Sequence, residues 1–250
     1  MNRATDAGRR VRNAAVGLGV LGVALGGGGV AYPGAQTVLF ALGGTALVSA
    51  LLVYTVSPAD LLSSRVAQQV FSPIAANQQA LVAELALDDR RLYVPREDGA
   101  DPPVWLYVPP GAETGVPSSA EMESLFVDGM EAGARGMALA PTASDLLVEV
   151  ESAGPTGLES RPDRLVVQLC TALRRTYGLV DAVRTSTDAA AGEAVIEVSG
   201  AAFGDVTQFD HPVPSLLAGG LAWGLDRPVS VDVAAASTDL DGRIVCRWEH

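Results

Sequence analysis

Two apolar stretches, Asn13–Ala31 and Gln36–Val56, are joined only by Tyr32-Pro33-Gly34-Ala35, and neither contains Asp, Glu, Arg or His. A helix rising ~1.5 Å per residue needs roughly 20 apolar residues to cross a ~30 Å hydrocarbon core. Both stretches meet that length, and the Pro-Gly between them suits a tight helix-to-helix turn. The pattern predicts a transmembrane helical hairpin over 13–57, preceded by a basic tail over 1–12. A cleaved signal peptide is the competing reading, since Arg3, Arg9, Arg10 and Arg12 form a suitable basic flank. A second apolar span where a soluble domain should follow the cleavage site argues against it.

Cationic residues near span ends set orientation. Four Arg precede the first span, the connecting loop has none, and only Arg65 closely follows the second. The N-terminus and everything after the hairpin are therefore expected in the cytoplasm, at the cell membrane. Gly22 and Gly26 are spaced as GxxxG, and Ala46 and Ala50 form a small-xxx-small pair. Small residues let helices approach closely in lipid. They serve either packing within the hairpin or a homo-oligomer, and the bilayer itself is the first expected partner. With no charge inside the spans, nothing points to an ion pathway or proton relay.

Beyond the hairpin the character changes. Residues 57–250 hold 28 acidic residues against 13 arginines, and the chain has no lysine at all. Without a basic patch to meet phosphates, nucleic-acid binding is not expected. Arg-only cations, abundant acid and few aromatics together suggest an extremely halophilic archaeal source. In molar salt the screening length falls to ~3 Å, so such charge supports solubility rather than long-range steering. Cys170 and Cys246 lie far apart in sequence and face a reducing compartment, so no disulfide is expected. With His211 and His250 the only histidines, the roughly four ligands of a zinc site are lacking. No metal or cofactor is expected.

The elements predict an α+β fold, with an N-terminal helical hairpin followed by antiparallel strands and packed helices. Juxtamembrane helices are expected over 58–89: an amphipathic Asp60–Phe71, then a new helix starting at Ser72-Pro73. The acidic domain spans 90–250. Period-2 alternation predicts a hairpin of Arg91–Pro95 and Val104–Val108. Further strands are expected at Ser124–Asp128, Gly136–Ala140, Val180–Thr185, Ala194–Ser199 and Pro228–Ala234, with a last one carrying Ile244, Cys246 and Trp248 on one face. Helices are expected from a Thr142 cap to about Val150, from Arg161-Pro162 to about Tyr177, and over Pro212–Leu225. In the last, Gly219 and Gly220 each cost ~1 kcal/mol relative to Ala, which close approach of another backbone would offset.

Candidate sites are few. Alternation sets Leu92 and Val94 with Val104, Leu106 and Val108, leaving Tyr93, Trp105 and Tyr107 on the opposite face. That aromatic face is a partner-binding surface, a contact with lipid headgroups, or an interior covered by a second layer. Asp210-His211-Pro212 pairs an acid with a general base, though Asp before an X-Pro helix start commonly serves as a cap. No nucleophile elbow or phosphate loop occurs, so no catalytic residue is assigned.

Phe71-Ser72-Pro73, Ala76-Asn77-Gln78, Leu92-Tyr93-Val94-Pro95, Phe209-Asp210-His211-Pro212 and Val245-Cys246-Arg247-Trp248 together resemble a family of uncharacterised haloarchaeal two-span membrane proteins. That resemblance covers nearly the whole chain and implies no activity. More remotely, the order of elements over residues 162–250 is similar to the vinyl-reductase-like fold shared with vesicle-tethering (TRAPP) subunits. That likeness implies a ligand cavity near Gly219, Gly220 and Cys246, although the cysteine and acidic cluster of such folds is reduced here to Cys246. The expected role is a membrane-anchored, cytoplasm-facing module, non-enzymatic, serving ligand sensing or protein interaction. A structural scaffold, or a hydrolase using His211, is the alternative.

Overall fold

The computed structural model describes residues 3–56, 64–97, 99–111, 114–117, 122, 124–128, 135–153, 157–235 and 240–249. It divides into two compact units, Met1–Ser63 and Ser64–His250.

The first unit is a pair of antiparallel helices, α1 (Arg3–Ala31) and α2 (Gln36–Val56), linked by a single 3-10 turn at Pro33–Ala35. Helix α1 extends through the basic tail rather than starting at Asn13. A carbon added to Gly43 would lie 2.9 Å from the Gly22 carbonyl oxygen, and one on Gly22 would lie 2.7 Å from Leu47 Cγ. The backbones therefore cross at these two glycines, and Gly22 is spent inside the hairpin. Thr45 hides its hydroxyl by donating to the Ala41 carbonyl at 2.9 Å. Within α2, Gln36–Val53 is long and apolar enough to cross a membrane by length and composition, and only 6% of it is buried. The apolar part of α1, Ala15–Ala31, is shorter.

The second unit begins with α3 (Ser64–Glu84). Residues 60–63 of the expected Asp60–Phe71 helix lie outside the described residues. From Ser64 onward there is one helix, with Pro73 inside it instead of a new start at Ser72. Proline removes one intrahelical donor, yet Phe71, Ala75 and Val82 are all buried along one side, and that shared face carries the helix past Pro73.

Among the described residues, eight strands form one antiparallel sheet: β1 (Arg91–Pro95), β2 (Val104–Val108), β3 (Phe126–Asp128), β4 (Arg135–Leu139), β5 (Ala182–Asp188), β6 (Glu193–Ser199), β7 (Val229–Ala234) and β8 (Gly242–Trp248). Their order is β3-β4-β2-β1-β7-β8-β6-β5. Local hairpins build each half, and the long-range pairing of Tyr93 with Val229 joins them. Helices α4 (Ser144–Ala153), α5 (Pro162–Thr171, continued by a π turn at Ala172–Thr176) and α6 (Pro212–Leu225) complete the unit. Helix α6 is the centre of the core. It is buried from Pro212 to Ala222, against the inner sheet face on one side and α4 and α5 on the other. A helix apolar all round is what such a position requires.

The β1–β2 register corrects the expected faces. Leu92 pairs with Tyr107, Tyr93 with Leu106 and Val94 with Trp105. The loop 96–103 has an even number of residues, so odd positions pair with even ones, and a one-residue offset moves every side chain to the other face. Tyr93 thus joins Val104, Leu106 and Val108 in the main core. Trp105 and Tyr107 lie with Leu92 and Val94 on the outer face, in a smaller cluster closed by Met122 and Val127. Tyr107 lies across Gly136, where an added carbon would meet its ring at 2.5 Å.

Candidate functional site

Two places concentrate chemistry in the second unit: a buried polar knot at the start of α6, and a cleft at the sheet end.

Asp210 sits in the left-handed region at φ 45°, which Asp tolerates better than most residues. Its carboxylate is 1% exposed. Oδ1 accepts the Tyr93 hydroxyl at 2.6 Å and Oδ2 accepts the Thr142 backbone N–H at 2.5 Å. The hydroxyls of Thr142 and Ser215 lie nearby and help to hold its charge. Burial pushes the Asp210 carboxyl upward, against the pull of these donors. It pushes the Tyr93 phenol well up too, and the neighbouring carboxylate adds to that. Ser215 Oγ accepts the Ala143 N–H at 3.2 Å. Donors at the start of α4 are therefore capped from Asp210 and from Ser215 of α6, across the chain, rather than by the Thr142 side chain.

His211 is the N-cap of α6. Its Nδ1 accepts the Val213 N–H at 3.2 Å, and its carbonyl accepts the Ser215 N–H. That bond assigns the neutral tautomer with the proton on Nε2, which is buried with no acceptor among the described residues. The rings of Phe71, Phe203 and His211 meet edge to face, with centroids 5.6–6.3 Å apart. Burial holds the imidazole down at about 4, with Asp205 pulling weakly the other way. A base whose accepting nitrogen is spent on a cap, inside an aromatic cage, is built for folding rather than proton transfer.

A pH dependence follows. The unfolded histidine titrates near its ordinary value of about 6.5, and the folded one near 4. As pH falls, the unfolded chain takes the proton first. The His211 contribution is therefore complete above about 6.5 and is lost as pH falls through 4, up to roughly 3 kcal/mol. Asp210 acts with the opposite sign, because its raised carboxyl takes a proton more readily in the fold. Denaturant midpoints of the wild type should drop between about pH 7 and 4.5 more steeply than those of His211→Asn, which keeps a cap but has nothing to titrate. Equal slopes would show that His211 titrates freely.

The glycines and cysteine predicted to border a cavity serve packing. A carbon on Gly219 would lie 2.8 Å from Leu147 Cδ1, and one on Gly220 2.4 Å from Leu169 Cδ2. Leucine side chains of α4 and α5, not a second backbone, occupy the space the glycines leave. Cys246 is fully buried on the inner sheet face. Burial raises its thiol strongly and pushes the Cys170 thiol up to about 12, so neither is a ready nucleophile. Of the three aromatics, Tyr93 and Tyr107 have no exposed surface. Trp105 is covered by the Arg96 guanidinium, 4.8 Å from its ring centroid.

The cleft, of about 810 Å³, is lined by residues that include Leu92, Val116, Arg227, Pro228, Trp248 and Glu249. Such a volume is typical for a small ligand. Its walls are tied together: the Trp248 N–H donates to the Gly192 carbonyl at 2.9 Å, and Arg227 Nη1 donates to the Glu249 carbonyl at 2.9 Å. Gly192, at φ 65°, presses so close that an added carbon would lie 2.2 Å from the Trp248 carbonyl oxygen. Arg247, also on the wall, is engaged by Glu193 at 2.9 Å and by Asp232. None of the cleft residues was singled out as a ligand-binding candidate by sequence. They come from β1, β7, the end of β8, a loop, and the turns after α6 and before β6, and only the fold gathers them. Among the described residues, no group of three His, Cys, Asp or Glu is placed to hold a metal ion.

These features define an α+β protein whose eight-stranded antiparallel sheet, among the described residues, carries a buried central helix and an open, mostly apolar cleft. The chain belongs to a family described as a domain of unknown function, DUF7982, whose model matches residues 2–248. No curated protein and no solved structure matches it.

Proposed function

We propose that this chain is a membrane-tethered module whose second unit binds a small apolar ligand without transforming it. The cleft carries this reading: about 810 Å³ lined mostly by apolar residues with a few polar ones among them is the usual form of a ligand site. The tether in this reading is a two-span hairpin. Glycine-mediated pairing of α1 with α2 and the apolar length of Gln36–Val53 support it. The arginines of the N-terminal tail favour a cytoplasmic N-terminus and a cytoplasmic second unit. The acid excess of residues 57–250 supports a saline cytoplasm.

Full-length protein isolated with its lipids and then denatured should release one compound at close to one per chain. Ala191→Trp, an exposed turn position on the cleft wall, should release much less while keeping the native circular dichroism. Equal release from both proteins would place the ligand elsewhere. Release of nothing from either would turn the reading toward a scaffold.

A further inference from the structure

The polar side chains lining the cleft say more about its occupant, given that the cleft is a ligand site at all. Acidic residues outnumber arginines about two to one beyond the hairpin, yet Arg227 and Arg247 both line this cleft. They are not equivalent. Arg247 is neutralised by Glu193 and Asp232 on either side, which leaves its stem as wall. Arg227 has no carboxylate partner among the described residues. A bond from Nη1 to the Glu249 carbonyl fixes the guanidinium on the wall, and among the described residues its other donors stay available. Leu92, Val116, Pro228 and Trp248 supply apolar surface along the same cleft. The Glu249 carboxylate is the opposing charge on that wall.

We propose that the cleft takes an anionic amphiphile, a small apolar body carrying one carboxylate or phosphate that seats on Arg227. A planar guanidinium held by a backbone carbonyl is well suited to either oxyanion. In an acidic domain, a cation at the cleft that has no carboxylate partner among the described residues gives selectivity for an anionic ligand over a neutral isostere.

The test is equilibrium dialysis of the full chain in lipid nanodiscs, with empty discs as control, against naphthoate, naphthyl phosphate and neutral naphthylmethanol. At least one anion should bind saturably, about tenfold or more tighter than the alcohol, and the tighter anion names the headgroup. Arg227→Gln should abolish that preference. Glu249→Gln should strengthen anion binding, because it removes the opposing charge and leaves the backbone carbonyl that holds Arg227. Alcohol binding as tight as either anion, no anion binding, or an unchanged preference in Arg227→Gln would each overturn the assignment. Release of a neutral compound from the native protein would also overturn it while upholding ligand binding. Release of nothing would count against ligand binding itself.

Discussion

Asp210→Ala should cost the second unit about 3–5 kcal/mol, the largest loss expected from any single polar substitution in the chain. Three effects add. The Tyr93 hydroxyl and the Thr142 N–H both donate to this carboxylate, and its removal leaves the buried Tyr93 hydroxyl and the part-buried Thr142 N–H without that acceptor. A small cavity opens beside the Tyr93 ring. Alanine must also hold the left-handed backbone at φ 45°, which suits it less than Asp. Chemical unfolding followed by near-ultraviolet circular dichroism would measure the loss. Tyr93→Phe gives the contrast, since it deletes one donor without changing the backbone and should cost about 1–2 kcal/mol. Asp210→Asn should fall between them, because its amide still accepts from Tyr93 but sets N–H against the Thr142 N–H. A loss below about 1 kcal/mol for the alanine variant would mean the knot is not a keystone of the fold.

Gly220→Leu should be comparably damaging for the opposite reason. The first added carbon already lies 2.4 and 2.9 Å from the two terminal carbons of Leu169 and 3.2 Å from Leu147 Cδ2, and the surrounding leucines have no exposed surface to retreat into. Overpacking commonly costs about 1–3 kcal/mol, and a full leucine here should reach or exceed that range. Gly220→Ala sets two terms against each other: a gain of up to ~1 kcal/mol in helix propensity and the displacement of Leu169. Trimming Leu169 to Ala in the same chain should make Gly220→Ala far less costly than it is alone, a coupling readable in a double-mutant cycle. Additive effects would show that α5 and α6 are not pressed together at this point.

These two sites also mark how far the sequence can be read. Helix α6 was legible because His211-Pro212 starts it and its length is apolar throughout; β1 and β2 were legible from alternation between proline-rich turns. Even the two glycines were legible as a packing signal, although not as the seat of Leu147 and Leu169. Tertiary partners were not legible. Asp210 caps α4 from 68 residues away, and nothing near Thr142 announces it. The faces of β1 and β2 turned on the parity of one loop. Pro73 reads locally as a helix start, and the buried side of α3 overrides it. The cleft left the least trace, since Val116, Arg227 and Trp248 share no motif and meet only because β1 pairs with β7 and β8 lies beside it.

The most direct test of ligand binding is an experimental structure of the full chain isolated with its native lipids, read at the cleft bounded by Val116, Arg227 and Trp248. Well-defined density for a small molecule is expected there, with an oxyanion against Arg227. A cleft filled by the chain's own residues, with no room for a ligand, would contradict it.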